Sequence, residues 1–141
     1  MLRGKNMPEI PINWLAVLVA AVVRLVIGGL WYAPFAFGPM WQKTVGITQD
    51  QMLKAMPRAI AVDAVGSLLM AFILEHAVVY AQATSLLQGA AVGALNWLGF
   101  VAVVLVATNV YEQRPLRSAY VSAGFNLVAL VLMGALFAVW R

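Results

Sequence analysis

The sequence predicts an all-α integral membrane bundle of four transmembrane helices, with a short interfacial helix in the first loop. Four apolar runs lie at residues 12–33, 59–83, 87–110 and 118–140, and each exceeds the ~20 residues of helix that cross a hydrocarbon core of ~30 Å. The composition agrees, because 64% of the residues are hydrophobic and only 10% are charged. Aromatic residues also gather near the ends of the runs, where membrane helices meet the lipid head groups.

This composition excludes several classes of protein. An average soluble domain is about 45–50% apolar and about 25% charged, and a small soluble chain cannot bury such an excess of apolar surface. The net charge is +4, but the basic residues stand singly beside the apolar runs and form no nucleic-acid-binding motif. The chain has no cysteine, so thiolate metal ligands are excluded. We expect membrane lipids as partners, no nucleic acid and no cofactor.

The first run, residues 12–33, predicts a retained transmembrane helix. Its apolar core exceeds the ~7–15 residues of a cleaved signal peptide, and the run does not end in a small-residue cleavage site. Pro8 and Pro11 lie just before the run, and proline disrupts the interior of a helix. We therefore expect the helix to begin after Pro11 and the preceding residues to form a tail.

The loop at 34–58 predicts an additional short helix. Thr48 and Gln51 have the spacing of a capping box, in which each side chain bonds the backbone N–H of the other residue. We expect this helix at 49–56, lying at the membrane interface on an apolar face. The aromatic segment 35–41 before it suits the head-group zone.

The remaining runs predict three more spans in short succession. The second, 59–83, carries two acids and the only histidine, whereas 87–110 and 118–140 carry no charged side chain. Because very few residues separate the second run from the third, these two helices should be antiparallel neighbours. The connection at 111–117 then leads into the last span.

The distribution of basic residues predicts the orientation. Under the positive-inside rule, the loops richer in Lys and Arg face the cytoplasm. Loops 34–58 and 111–117 are richer than the side that carries the termini, and we expect them to be cytoplasmic. The comparison is Lys43, Lys54, Arg58, Arg114 and Arg117 against Arg3, Lys5 and Arg141.

Arg24 is the most informative residue, because it lies near the middle of the first span. A charge at that depth costs roughly 2.5–3.5 kcal/mol on insertion scales, so it faces the bundle interior, an acid or a wet cavity. Two interpretations stay open: an internal ion pair that fixes helix packing, and an anion or substrate site. Counting along antiparallel helices makes Glu75 the preferred partner, with Asp63 nearer the basic end of its helix.

Other polar residues share the middle depth with Arg24. Asn96 and Asn126 would each be explained by an interhelical hydrogen bond, but a layer of such residues, together with Ser67, favours a pocket. A lone histidine does not make a metal site, so His76 is expected to be hydrogen-bonded or interfacial. The candidate ligand-binding residues are Arg24, Asp63, Glu75, His76, Asn96, Trp97 and Asn126.

The remaining motifs concern packing rather than chemistry. Gly89 and Gly93 have the small-residue spacing that lets membrane helices approach closely. No phosphate-binding loop, nucleophile elbow, zinc signature or dinucleotide fingerprint occurs. We therefore assign no catalytic or metal-binding residue, and favour a protein that is not an enzyme.

Several motifs together resemble one family. They are Asn13-Trp14-Leu15-Ala16-Val17, Gly28-Gly29-Leu30-Trp31-Tyr32-Ala33-Pro34, Phe37-Gly38-Pro39-Met40-Trp41, Trp97-Leu98-Gly99-Phe100-Val101-Ala102, Arg114-Pro115-Leu116 and Ala123-Gly124-Phe125-Asn126-Leu127-Val128. They look like the DUF1761 family of small bacterial membrane proteins, over about residues 13–140. The resemblance implies four helices in the bacterial inner membrane. It implies no established activity, so it transfers no catalytic residue.

These observations lead to three functional hypotheses. The first is a binding or transport protein for a small molecule or ion, acting as a homo-oligomer through a polar midplane site around Arg24. The second is a structural or partner-binding subunit that docks through the aromatic segment 35–41. A membrane enzyme acting on lipid comes third, because the sequence offers no nucleophile or metal-ligand set.

Overall fold

The structure, a computed structural model, describes residues 9–140, and the regular structure in this range is entirely helical. Arg3, Lys5 and Arg141, which entered the charge comparison, and residues 1–8 of the predicted tail lie outside the described residues. The elements are α1 Trp14–Trp31, α2 Gly38–Val45, α3 Gln49–Tyr80, α4 Leu86–Asn96, a π-helical segment Trp97–Ala102, α5 Val103–Tyr111 and α6 Leu116–Val139.

Four of these helical stretches, counted within residues 9–140, are long and apolar enough to cross a membrane. They are Trp14–Trp31, Gln49–Tyr80, Leu86–Tyr111 and Leu116–Val139. The third comprises α4, the π segment and α5 without interruption, and we call it the third span. The predicted all-α, multi-pass membrane fold is confirmed.

The first helix begins where its sequence provides a cap. The side chain of Asn13 accepts a hydrogen bond from the backbone N–H of Ala16 at 3.1 Å, which satisfies one of the free donors in the first turn. After α1 the aromatic loop folds back over the end of the helix. Phe37 packs on Trp31 with ring centroids 4.7 Å apart, and Trp41 packs edge-on to Tyr32 at 5.3 Å.

The predicted interfacial helix at 49–56 proves to be the first turns of α3. The capping box is present, with both Thr48–Gln51 hydrogen bonds formed, but the helix does not stop at residue 56. It runs through Pro57 to Tyr80 over 32 residues. Pro57 removes only one backbone hydrogen bond, and because it lies near the beginning of the helix, head groups or water can reach the carbonyl that loses its partner. The short helix in the first loop is α2 instead.

The length of α3 places its beginning outside the hydrocarbon core. At 1.5 Å per residue it is about 48 Å long, against a core of ~30 Å. Its first turns, with the exposed ion pair between Lys54 and Asp50 at 2.8 Å, therefore extend beyond the apolar layer. Arg58 directly precedes the apolar run that begins at residue 59.

The last helix, α6, forms the centre of the bundle. It contacts α1, α3, α4 and α5, and half of its apolar stretch is buried, compared with 6% for the third span. The tightest packing is between α4 and α6. A Cβ added at Gly89 or Gly93 would collide with the backbone of Gly134 or Leu130, so the predicted small-residue face packs within the chain.

A cleft opens on one side of the bundle. The backbone of α3 comes close to α1, α6 and α4, but among the described residues it has no comparable contact with the π segment or α5. The hairpin joining Tyr80 to Leu86 holds α3 and α4 together at one end. Toward the opposite end, α3 and the second half of the third span diverge.

Candidate functional site

Arg24 joins three helices through its guanidinium group. It is 7% exposed, and its Nη1 donates to Asp63 Oδ1 at 2.6 Å and to Ser67 Oγ at 2.7 Å, both on α3. Its Nη2 donates to Asn126 Oδ1 on α6 at 3.3 Å. These four residues form what we call the Arg24 cluster.

The α6 side of the cluster is held in a fixed orientation. Asn126 Nδ2 donates to the carbonyl of Ser122 at 2.9 Å, so the amide oxygen is directed at Arg24. The ring of Phe125 lies 4.9 Å from the guanidinium carbon, a distance at which the face of an aromatic ring attracts a cation. Tyr32 donates to Ser122 Oγ at 3.2 Å. Burial raises the pKa of the Tyr32 phenol above its ordinary value, which keeps this donor protonated.

The cluster is not fully satisfied. Arg24 Nε is buried and has no hydrogen-bond partner, although a buried donor normally has one. The Asp63 side chain is 44% exposed, whereas that of Arg24 is 8% exposed. The ion pair is therefore closed on the side of α6 and open on the other.

Its open side faces a groove of about 540 Å³, which we call the charged groove. The groove contains two guanidinium groups, of Arg24 and Arg58, and one carboxylate, of Asp63, so its formal charge is positive. Its other lining residues are small or apolar and lie on α3: Ala55, Ala59, Val62, Gly66 and Met70. A positive charge beside apolar walls suits an anionic ligand.

The expected pairing of Arg24 with Glu75 is wrong. Glu75 accepts the backbone N–H of Asn13 at 2.8 Å. Asn13 precedes Arg24 by about 16 Å along the helix axis, so Glu75 lies near the opposite end of α1. Glu75 Oε2 is buried and has no hydrogen-bond partner. The acid at the level of Arg24 is Asp63.

His76, Asn96 and Trp97 also lie apart from the Arg24 cluster. His76 Nδ1 is 2.7 Å from the carbonyl of Phe72. Asn96 donates to the carbonyl of Val92 at 2.9 Å. Trp97 Nε1 donates to a carbonyl of α6 at 2.7 Å. Throughout residues 9–140, no three His, Asp or Glu side chains are grouped so as to hold a metal ion.

Asn96 instead belongs to a second groove, of about 570 Å³, which we call the apolar groove. It lies between α3, α6, the last residue of α4 and the second half of the π segment. Its lining residues other than Asn96 are apolar or glycine: Gly66, Leu69, Met70, Ile73, Leu74, Phe100, Val101 and Leu130.

Sequence reasoning missed Arg58 and Phe125 as parts of the site. From the sequence, Arg58 is assigned only to topology and to the basic end near Asp63, yet it follows Ala55 and precedes Val62 and Gly66 at helical spacing, which places all four on one face of α3. That spacing was a usable signal. The sequence contains no comparable signal for Phe125, because aromatic residues are common in apolar spans. Its contact with Arg24 depends on how α6 is rotated about its axis.

Comparisons with known proteins give one match. The family model described as a protein of unknown function, DUF1761, matches residues 15–138. No curated protein and no solved structure matches the chain. Since the matched segment covers most of the chain, including all four apolar helices except Trp14 and Val139, the chain belongs to the DUF1761 family.

Proposed function

We propose that this protein binds a small anionic molecule or ion at the Arg24 cluster, as a binding or transport protein of the bacterial cytoplasmic membrane. The observation that carries the proposal is the incomplete pairing of Arg24. Its guanidinium is almost fully buried, yet Nε has no partner, and its one acid is partly exposed in a groove that also contains Arg58.

Charge and solvation explain why an anion fits this groove. A buried cation is expensive unless it is paired and hydrogen-bonded. Asp63 neutralises one guanidinium, which leaves the charge of Arg58 in the same groove. An anion placed between the two arginines compensates this charge and adds an acceptor beside the guanidinium of Arg24, whose hydrogen bonding is incomplete. Intramembrane ionisable residues that face a cavity are frequently functional.

The alternative is a structural subunit in which the Arg24 cluster only fixes helix packing. Three hydrogen bonds within the chain favour it, and the 82% exposure of Phe35 in the aromatic loop favours docking of a partner there. This alternative does not account for the buried, unpaired Nε or for the open side of the ion pair. We therefore prefer the binding function.

Assembly and orientation are further parts of the proposal. We propose a homo-oligomer, because only 6% of the apolar stretch of the third span is buried within one chain, with lipid covering the surface that remains. We also propose that loops 34–58 and 111–117 face the cytoplasm, since they hold more basic residues than the opposite side. In that orientation the charged groove opens toward the cytoplasmic leaflet.

Native mass spectrometry of the protein extracted with its lipids tests the binding function. We expect an anionic adduct in the original protein, or one formed with added butyl phosphate, that is lost in Arg24→Gln. Arg117→Gln removes the same charge at an exposed position outside both grooves and should keep the adduct. An intact Arg24→Gln protein with undiminished binding would contradict the proposal. If that variant does not fold, Arg58→Gln against Arg117→Gln gives the same comparison.

A further inference from the structure

The charged groove and the apolar groove are two parts of one channel along the surface of α3. Gly66 and Met70 line both. The α3 residues that line them recur at intervals of three and four, as on one face of a helix: Ala55, Ala59, Val62, Gly66, Met70 and Ile73. From Ala55 to Leu74 this channel is about 28 Å long, at 1.5 Å per residue.

The two ends of the channel have opposite character. One end holds Arg24, Arg58 and Asp63. The other is lined by aliphatic and aromatic side chains, with Asn96 as its polar residue. The Asn96 amide already donates to the carbonyl of Val92, so the apolar end offers little to a charged or strongly hydrated group.

This polarity matches the position of the channel in a membrane. Arg58 directly precedes the apolar run of α3 that begins at residue 59, and Arg24 lies seven residues, about 10 Å, before Trp31 at the end of α1. The apolar end lies deeper still. An occupant therefore has its anionic group on the side of Arg58 and its hydrocarbon part deeper in the bilayer, the same orientation as a lipid of that leaflet.

The side wall of the channel permits entry from the bilayer. It is formed by Phe100 and Val101 of the π segment, and α3 makes no comparable backbone contact with this segment in the part of the chain described. π-Helical turns are rare and occur frequently at functional sites. Phe100 is 76% exposed, which leaves its ring beside the opening.

We infer that the ligand of the Arg24 cluster is an anionic amphiphile, with a phosphate or carboxylate head group between Arg24 and Arg58 and a hydrocarbon chain in the apolar groove. The inference rests on the proposed anion-binding function and adds the class of ligand. The positive charge of Arg24 and Arg58 favours an anionic head group. Because the two grooves are continuous at Gly66 and Met70, a hydrocarbon chain attached to that head group can extend into the apolar groove. The protein thus withdraws a lipid-like molecule from one leaflet to a depth at which its head group contacts Arg24.

Gly66 provides the variant that separates the chain from the head group. A Cβ at this position meets no atom within 4 Å, so Gly66→Leu should fold normally while its side chain fills the junction of the grooves. Gly29→Leu is the matched control. Gly29 is also exposed, and its Cβ likewise meets no atom within 4 Å, but it lies on α1 away from both grooves.

The experiment titrates the protein in phosphatidylcholine nanodiscs with inorganic phosphate, butyl phosphate, hexadecyl phosphate and uncharged hexadecanol. Bound molecules are counted by native mass spectrometry. We expect hexadecyl phosphate to bind and hexadecanol not to bind. Gly66→Leu should weaken hexadecyl phosphate about tenfold more than it weakens butyl phosphate, because only the long chain has to pass the junction of the grooves, and Gly29→Leu should change neither. Arg24→Gln, or Arg58→Gln if the former does not fold, should weaken every anion that binds.

The outcomes distinguish the two proposals. If the short phosphates bind in an Arg24-dependent way and Gly66→Leu does not weaken hexadecyl phosphate more than butyl phosphate, the amphiphile inference is overturned and the anion site stands. If no probe depends on Arg24 or Arg58, both proposals fail. Hexadecyl phosphate that binds equally to all variants is lipid at the outer surface of the protein, which also overturns the inference.

Discussion

The guanidinium of Arg24 lies 2.6 Å from the carboxylate of Asp63, and the two side chains differ sharply in exposure, at 8% and 44%. A pair whose only purpose is to join two helices would be expected to be closed on both sides. Here the positive partner is held among α1, α3 and α6 and contributes only a small exposed part to the charged groove, while the negative partner is largely open to it. The pair can therefore exchange part of its interaction for contact with an incoming anion.

Replacing Asp63 tests this asymmetry. Asp63→Asn should lower the free energy of unfolding by about 1–2 kcal/mol, below the about 3–5 kcal/mol for breaking a fully buried pair, because the carboxylate is partly exposed. The same change should raise the affinity for butyl phosphate or hexadecyl phosphate, since it leaves two uncompensated guanidinium groups in the groove. Thermal unfolding followed by tryptophan fluorescence, together with probe titration, measures both effects.

The control for this prediction is Asp50→Asn. Asp50 pairs with Lys54 at the exposed beginning of α3, where ion pairs contribute about 0–1 kcal/mol. It should change neither quantity appreciably. A loss of anion affinity in Asp63→Asn would show that the carboxylate helps to hold the ligand, and would contradict the arrangement proposed here.

Glu75 should prove unimportant for binding. Its carboxylate accepts the Asn13 N–H at the beginning of α1, where a negative group also interacts favourably with the helix dipole. Glu75→Gln keeps an acceptor and should cost about 1 kcal/mol or less, with hexadecyl phosphate affinity unchanged. Glu75→Ala removes the acceptor and should cost more stability, again without loss of affinity. Weakened binding in a folded Glu75→Gln protein would contradict this prediction and would support the pairing of Arg24 with Glu75 that was expected from the sequence.

The comparison of Glu75 with Asp63 shows that the sequence predicts the candidate residues but not which acid pairs with Arg24. Apolar length and composition predict the four spans, and the polar residues near the middle of the spans predict which side chains are candidates. The choice of partner depends on the relative height of α1 and α3, which shifts by 1.5 Å for each residue of register. Because α3 begins before the apolar run does, that register cannot be counted from the ends of the runs.

The two grooves could not be predicted from the sequence, for a related reason. The spacing of Ala55, Val62 and Gly66 indicates one face of α3, but not what that face meets. The cleft exists because α3 approaches α4 and not α5. That separation is a property of three-dimensional packing around α6 and has no local signature in the sequence.

The α4–α6 contact should be the most sensitive to added volume. A Cβ at Gly89 would collide with the carbonyl of Gly134 and the side chain of Ala138, so Gly89→Ala should destabilise the bundle by about 1–3 kcal/mol. Gly99→Ala is the control on the same span, because a Cβ there meets no atom within 4 Å. Thermal unfolding in detergent compares them. Equal stability of the two variants would mean that α4 and α6 are not in close contact.

Two indole groups donate to backbone carbonyls of α6, and only one of them, that of Trp97, belongs to the π segment that lines the apolar groove. Trp31 donates to the carbonyl of Val121 at 3.0 Å, and Trp97 donates to that of Ala123 at 2.7 Å. Phenylalanine at either position keeps an aromatic ring and removes the donor, so each variant should lose about 0.5–1.5 kcal/mol of stability.

The two substitutions should nevertheless differ in binding. Trp97 precedes Phe100 and Val101 by about one helical turn, so its hydrogen bond positions the wall of the apolar groove. Trp97→Phe should weaken hexadecyl phosphate by about threefold to tenfold and leave butyl phosphate unchanged, whereas Trp31→Phe should affect neither. Native mass spectrometry of both variants at matched stability provides the test. Parallel losses in the two would indicate general loosening of α6, and would remove the π segment from the binding site.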